Sequence, residues 1–232
     1  MNALSSYTVE DQRRMTRAKN YFAWQARLVL PELGRRVLEI GCGIGNFTGL
    51  LADREAVIAV DSNADCIAAL KSRWPAVHAF TLDAGSEAIV DLARFQPDSC
   101  VFLNVLEHIE DDLGTLARIA SILPRGGAIV VLAPAFPSLY GPIDRRLGHH
   151  RRYSRADVPA LARSAGLEIR KIRYVNALGF FGWWMNARVL KRDAQSEAQI
   201  DVFDRLVPAI ASIEELIAPP FGQSLLAIFE KR

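Results

Sequence analysis

The sequence predicts a doubly wound α/β fold: a mostly parallel sheet with helices on both faces. Three observations carry that prediction. In Val37–Thr48, VLEIGCGIGNFT, an apolar run passes straight into a glycine-rich turn, and a second apolar run, Val57–Val60, ends in Asp61. This is a strand, a tight loop, a helix and a second strand with an acid at its tip, an arrangement suited to a nucleoside whose ribose hydroxyls need an acceptor. As far as Pro134, short β-rich apolar runs alternate with helical spacings, as in a parallel sheet covered on both sides. Finally, the strand ends at Gly41–Gly45, Asp61, Asp83, Asn104 and Pro134 all carry glycine, a polar side chain or proline. Ligands of such sheets lie across these carboxyl ends, at the topological switch.

The elements follow in order. Arg13–Leu30 sets Tyr21, Trp24 and Leu28 at helical spacing and stops at Pro31 and Gly34. Arg36–Ile40 is the first strand, Asn46–Arg54 the helix after the glycine loop, and Val57–Val60 the second strand. Ala64–Arg73 is a helix broken by Trp74-Pro75. Val77–Leu82 is the third strand, ending at Asp83, and Ser86–Arg94 is helical. Ser99–Asn104, after the Pro97-Asp98 turn, is the fourth strand. Leu113–Ile122 is a helix, Pro124–Gly127 a turn, and Ala128–Ala133 the fifth strand. Ala135–Tyr153 reads as one long loop rich in Pro, Gly, His and Arg, a kind that commonly carries function. Ser154 is the expected cap of a helix over Ala156–Ala165, which Gly166 ends. Gly179–Leu190 is an aromatic-rich helix, and Ile200–Ile217 is amphipathic and interrupted at Pro208. Leu167–Tyr174 and Leu225–Glu230 are strands expected to pair as an added antiparallel edge.

A length of 232 residues, 50% of them hydrophobic, suits one well-buried domain and is short for two. Within that single domain, residues 1–34 read as a helical lid and 35–134 as a cofactor-binding core. Residues 135–232 read as an acceptor loop with aromatic helices and terminal strands. A net charge of +2 makes no demand for nucleic acid. The broken basic run Arg145-Arg146 and Arg151-Arg152 is a solvated loop or an anion site. Cys42, Cys66 and Cys100 form no CxxC pair and read as reduced, packed residues of a cytosolic protein, with no disulfide framework and no zinc site. The N-terminal stretch is polar, without a signal-peptide core. The most apolar stretch, Ala177–Met185, is far shorter than the ~18 residues a transmembrane helix requires, which leaves peripheral contact as its route to a membrane.

The cofactor class turns on two details. A dinucleotide loop wants G-x-G-x-x-G, but here the third glycine arrives one residue early, as Gly45. Glu39 also lies just before the loop, where a carboxylate would repel a pyrophosphate and suit a cationic ligand. S-adenosylmethionine has an ammonium, a sulfonium and no phosphate. A nicotinamide-dependent oxidoreductase is the alternative these details weigh against.

VLEIGCGIGNFT, VIAVDSN, TLDA, VFLNVLEHIEDD and LPRGGAIVVLAPA, in register over residues 35 to 175, resemble the successive motifs of the class I S-adenosylmethionine-dependent methyltransferases. The resemblance implies a Rossmann-like seven-stranded sheet whose last strand is antiparallel. It places Glu39, Gly41, Cys42, Gly43 and Gly45 around the methionine part. Asp61 would accept from the ribose hydroxyls, with Ser62 and Asn63 beside the adenosine, and Asp83 with Ala84 would face adenine. Asn104 and Val105 would close the methionine side.

Candidates for the acceptor side follow strands four and five. His108 is either a base near neutral pH or a residue that packs beneath the cofactor or hydrogen-bonds the loop. A metal held by Glu107, His108 and a later histidine lacks a charged ligand, because Asn104 stands where such clusters carry Glu; no metal is expected. The segment Tyr140–Tyr153 resembles the Y-G-x-x-D … G-H-x-R-R-Y stretch of a bacterial subgroup of these enzymes. In it His149 and Tyr140 are the expected acceptor-pocket residues; Asp144 and His149 form either an orienter–base pair or a buried hydrogen bond by which His149 holds the loop. Arg151 and Arg152 would either neutralise an anionic acceptor or pair with Asp157. Phe180, Phe181, Trp183, Trp184 and Met185 form a patch that reads as core, a homodimer surface, or an apolar wall for a lipidic or aromatic acceptor. Tyr21 and Trp24 would lid the same pocket. The expected activity is methyl transfer to a small organic or lipid-like acceptor at oxygen or nitrogen; a non-catalytic S-adenosylmethionine-binding partner keeps the same fold and cofactor.

Overall fold

The computed structural model describes residues 9–185 and 197–232. One seven-stranded sheet runs in the order β3-β2-β1-β4-β5-β7-β6. Its strands are β1 (Arg36–Ile40), β2 (Ala56–Asp61), β3 (His78–Thr81), β4 (Ser99–Leu103), β5 (Ala128–Pro134), β6 (Leu167–Val175) and β7 (Ser224–Lys231). The first five are parallel, and β7 runs antiparallel between β5 and β6. The order reverses between β1 and β4, so the cleft opens at the carboxyl ends of those strands. The expected terminal pair therefore exists, but β6 is the edge and the later strand β7 is enclosed.

The helices are α1 (Val9–Met15), α2 (Lys19–Val29), α3 (Ala64–Arg73), α4 (Asp112–Ile122), α5 (Pro142–Leu147), α6 (Val158–Ser164), α7 (Ala177–Trp184) and α8 (Glu197–Leu216). Strand alternation sorts them into two layers. Leu38, Ile40, Cys100, Phe102, Ile129 and Phe229 face the layer of α4, α6 and a 3₁₀ stretch over Glu87–Phe95. Val37, Val101, Val130, Leu226 and Ile228 face Trp24, Leu28 and Val207 of α2 and α8. Ala59 packs on Ile67 and Leu70 of α3.

Several segments differ from the sequence expectation, each for a local reason. The first helix breaks at 16–18, where the Thr16 hydroxyl donates to the Arg13 carbonyl at 2.7 Å and competes with the helical ladder. After the glycine loop there is only a 3₁₀ turn, Thr48–Leu51. A helix there is opposed by Gly49, whose missing side chain leaves room for the Trp74 ring. The 135–153 stretch holds a helix, α5, started by Pro142 and closed by Gly148 at φ 76°. Helix α6 begins at Val158 with no side-chain cap; Ser154 instead donates to Asp157, from its hydroxyl at 2.7 Å and its N–H at 2.9 Å. Pro208 lies inside α8 without ending it. The expected helix beyond Met185 lies outside the described residues.

Candidate active site

A cavity of about 950 Å³ lies across the carboxyl ends of β1, β2 and β4. It is roofed by residues of α1 and α2, including Gln12, Met15 and Tyr21, and flanked by residues of α7 and α8. The roof is clasped: Asp204 of α8 accepts from the N–H of Tyr21 at 2.9 Å and from Asn20, and Arg17 pairs with Asp201. Tyr21 lines the cavity, as expected of a lid. Trp24 does not; it is 3% exposed and belongs to the core beneath α2.

The glycine loop is shaped from both sides. Gly41 has φ 71°, and a Cβ there would collide with the Val105 side chain. The N–H groups of Gly41 and Cys42 donate to the Val60 carbonyl at 2.7 and 3.0 Å, fixing the loop to β2. Asp61 then receives the N–H of Gly43 on Oδ2 and that of Asn63 on Oδ1, both at 2.8 Å. It straps the glycine loop to the start of α3, which Asn63 caps through bonds from Asp65 and Cys66. Burial raises the Asp61 pKa, against these two hydrogen bonds. Gly41 and Cys42 are on the cavity wall, whereas Gly43 and Gly45 shape the loop behind it, Gly45 lying against Trp74.

Glu39 lies at the floor, 3% exposed, and accepts from the Thr48 hydroxyl at 2.7 Å. Burial pushes its carboxyl up to about 8; the Thr48 bond opposes this and the Asp61 charge adds to it. Ser62, Asn63, Asp83, Ala84, Asn104 and Val105 all reach the same wall. Asp83 turns the chain by accepting from the Gly85 N–H at 2.8 Å. Asn104 has φ 55°, a left-handed conformation rare outside glycine. Its side chain bonds Tyr21, whose hydroxyl burial pushes up to about 12.

On the far side, Asp144 is a buried hub. Its Oδ2 accepts from the Gly141 N–H at 2.9 Å, and its Oδ1 lies 2.8 Å from both His149 Nδ1 and Arg152 Nε. Burial works against ionisation of Asp144, but the His149 bond and the Arg152 charge together hold its pKa below the usual carboxylate value. An ionised Asp144 fixes the proton on His149 Nδ1 and leaves Nε2 as the basic nitrogen. His149 lines the cavity, and its Nε2 lies 4.0 Å from Glu107 Oε1.

Glu107 is fully buried, and neither carboxyl oxygen has a partner; burial pushes it up to about 8. His108 stands edge-on to His149, centroids 4.6 Å apart, and bonds the backbone of Gly148 and Leu147. Burial, then the neighbouring His149 and His150, push its pKa down to about 4, so it stays neutral and holds the loop. The ligand atoms of Glu107, His108 and His149 all lie within 4.8 Å of one another. The 4.0 Å between His149 and Glu107 exceeds the ~3.4 Å separating two ligands on a tetrahedral ion with ~2.1 Å bonds.

Three expected residues take other places. Tyr140 is turned from the pocket: its hydroxyl donates to the His149 carbonyl at 2.7 Å, so it positions the loop. Arg151 pairs with Asp112 at 2.7 Å, and Arg152 with Asp144; neither meets Asp157. Among residues that sequence reasoning passed over, Gln25, 1% exposed, has an unpartnered Oε1 and lines the cavity. Its only sequence signal was a polar residue among the apolar positions of a helix. Of the aromatic patch, Phe181, Trp183 and Met185 reach the cavity, while Phe180 packs in a small core with Leu139 and Ile143. Trp184 is 44% exposed.

A methyltransferase-domain family model matches residues 9–172. The chain belongs to the class I S-adenosylmethionine-dependent methyltransferase family. A probable S-adenosylmethionine-dependent methyltransferase of Mycolicibacterium smegmatis is 30% identical over 159 residues, 65% of this chain and 61% of that protein. The trans-aconitate 2-methyltransferase of Rhodopseudomonas palustris is 37% identical over 130 residues, 54% of this chain and 46% of its own. The chain thus spans only part of the length of these relatives. In fold, it is similar to the putative methyltransferase solved with the Haloferax volcanii Trm112 activator, with TM-score 0.65 and 17% identity over 99% of this chain and 97% of that one. A methyltransferase from Archaeoglobus fulgidus gives TM-score 0.60 and 20% identity over 91% of this chain and 94% of the other.

The family sets aside the nicotinamide reading, and the site fits S-adenosylmethionine. Glu39 is a buried acid that a cationic ammonium would ionise. The absent Cβ of Gly41 leaves room for close approach to the backbone. Among the described residues no helix is long and apolar enough to cross a membrane.

Proposed function

We propose that this chain transfers a methyl group from S-adenosylmethionine to an oxygen or nitrogen of a small organic acceptor, with His149 as general base. The observation that carries the reading is His149 on the wall of the cavity that also contains Glu39, Asp61 and Asn104, with the buried Asp144 2.8 Å behind its ring. The cofactor, when bound, supplies a methyl on a sulfonium, a good leaving group. This chain's residues bind, align and move a proton. Glu39 and the Gly41–Cys42 backbone hold the cationic end, and Asp61, Ser62 and Asn63 the nucleoside. His149 Nε2 takes a proton from the acceptor as it attacks, and Asp144 stabilises the imidazolium. The roof of α1 and α2 shields the cavity from water. Relatives named trans-aconitate 2-methyltransferase and ubiquinone biosynthesis O-methyltransferase support a small acceptor. The three free, buried cysteines fit a reducing compartment such as the cytosol.

The test is His149→Ala, measured for S-adenosylhomocysteine affinity and for methyl transfer from labelled cofactor to a metabolite extract. Affinity should hold while turnover falls ~10²- to 10⁴-fold. Full activity in the variant would remove His149 as the base. Labelled product from neither protein would favour a non-catalytic cofactor-binding partner.

A further inference from the structure

Arg152 and Trp183 share a feature that methyl transfer leaves unused. The Arg152 side chain is fully buried in the cavity wall, and its guanidinium carbon lies 4.7 Å over the Trp183 ring. Nε is bonded to Asp144 and Nη1 to the Ala135 carbonyl at 3.0 Å, but Nη2 has no partner. The indole N–H of Trp183, itself 8% exposed, also has none. Two buried donors of neighbouring side chains in one wall are therefore without an acceptor, an arrangement native proteins reserve for a ligand or an ordered water.

We propose that the acceptor carries a carboxylate, held by one oxygen on Arg152 Nη2 and the other on the Trp183 N–H. This rests on the methyl-transfer reading and names its substrate class. The donor count favours a carboxylate over a phosphate: two donors match two oxygens, and a guanidinium already paired with Asp144 leaves little charge to balance a dianion. Arg151 is spent on Asp112 and on the Glu110 carbonyl, and Arg146, which also lines the cavity, faces Asp11 at 3.8 Å. Glu107 does not oppose the anion, since burial keeps it neutral near pH 7. Phe181, Val202, Phe203 and Leu206 line the same cavity and offer apolar surface to the remainder of the acceptor. His149, joined to Arg152 through Asp144, then stands beside the bound acid.

Calorimetry on the whole chain saturated with S-adenosylhomocysteine tests this, with benzoate, benzamide and phenyl phosphate as probes. Benzoate should bind saturably and benzamide and phenyl phosphate at least ~10-fold more weakly. Arg152→Met risks misfolding, because it strips Asp144 of its ion pair. Trp183→Phe keeps an aromatic ring under the guanidinium while removing the donor with part of the indole; it should weaken benzoate about 5- to 10-fold and leave S-adenosylhomocysteine affinity unchanged. Equal or absent binding of benzoate and benzamide overturns the proposal, as does unchanged benzoate affinity in Trp183→Phe. Tighter phenyl phosphate binding reassigns the subsite to phosphate. Selective benzoate binding by a protein that does not bind S-adenosylhomocysteine would keep the carboxylate site and sink the methyl-transfer reading instead.

Discussion

Cofactor affinity should rise with pH up to about 8, and Glu39 sets the slope. Burial lifts its carboxyl to about 8, well above its ordinary 4.5. An ammonium brought against that acid favours the carboxylate, so binding expels a proton. Below the pKa, each pH unit adds ~1.4 kcal/mol to that expulsion, a tenfold rise in Kd. Between pH 8, where the acid is already half ionised, and pH 6 the cost is therefore ~2.3 kcal/mol, or about fiftyfold. Calorimetry with S-adenosylhomocysteine, which has the ammonium without the sulfonium, reads this directly. Repeated in two buffers of different ionisation heat, it should show nearly one proton released per site at pH 6.5. Glu39→Gln has no proton to lose and should flatten the slope, which separates Glu39 from Asp61, whose pKa is also raised. A flat Kd from pH 6 to 8 with no proton release in the natural protein would refute the argument.

Glu107 gives a stability prediction that runs the opposite way with pH. Its folded pKa is raised, so the stability it contributes is complete below about 4.5 and is lost as pH rises through about 8. Glu107→Gln should therefore melt increasingly above the natural protein between pH 6 and pH 9 in a calorimetric scan; a constant difference would place the titration elsewhere. Gly43→Val meets both the φ of 53° and the Gln12 side chain, and Asp61→Ala orphans two backbone N–H groups. Each should weaken cofactor binding at least ~10-fold by fluorescence titration, and unchanged affinity in both would sink the assignment of the loop. Prolonged dialysis against EDTA should leave turnover as it was, because the 4.0 Å Glu107–His149 spacing is too long for two ligands on one tetrahedral ion; lost activity restored by one divalent metal would show the reverse.

The first five strands were legible because each is a short apolar run stopped by a glycine, proline or polar residue at its carboxyl end. Since a parallel sheet gathers those ends on one side, Glu39, Asp61, Asp83 and Asn104 could be placed at one cleft before any contact was known. What was illegible depended on partners far along the chain. Nothing near Gly49 announces Trp74, so a helix was expected where the loop stays irregular. Nothing in a six-residue stretch shows periodicity, so α5 was hidden in a loop. Arg151 and Arg152 are equivalent in sequence, and only the buried Asp144 separates them. Tyr21 and Trp24 share a helix, yet one faces the cavity and the other the core, a matter of azimuth that an expectation of one long helix blurred.

The pairing of Val175 with Ser224 has a practical meaning. The chain leaves the sheet at the end of β6 and returns to it at the start of β7 in adjacent positions, after building α7 and α8. The α7–α8 part of the acceptor wall is in this sense a cassette spliced into a β-hairpin. The cost of closing such an insert grows only slowly with its length, and the glycine loop, Asp61 and β1–β5 lie outside it. Grafting a different helical segment between Val175 and Ser224 would replace Trp183 and the apolar side of the acceptor wall while leaving His149, Arg152 and the glycine loop in place.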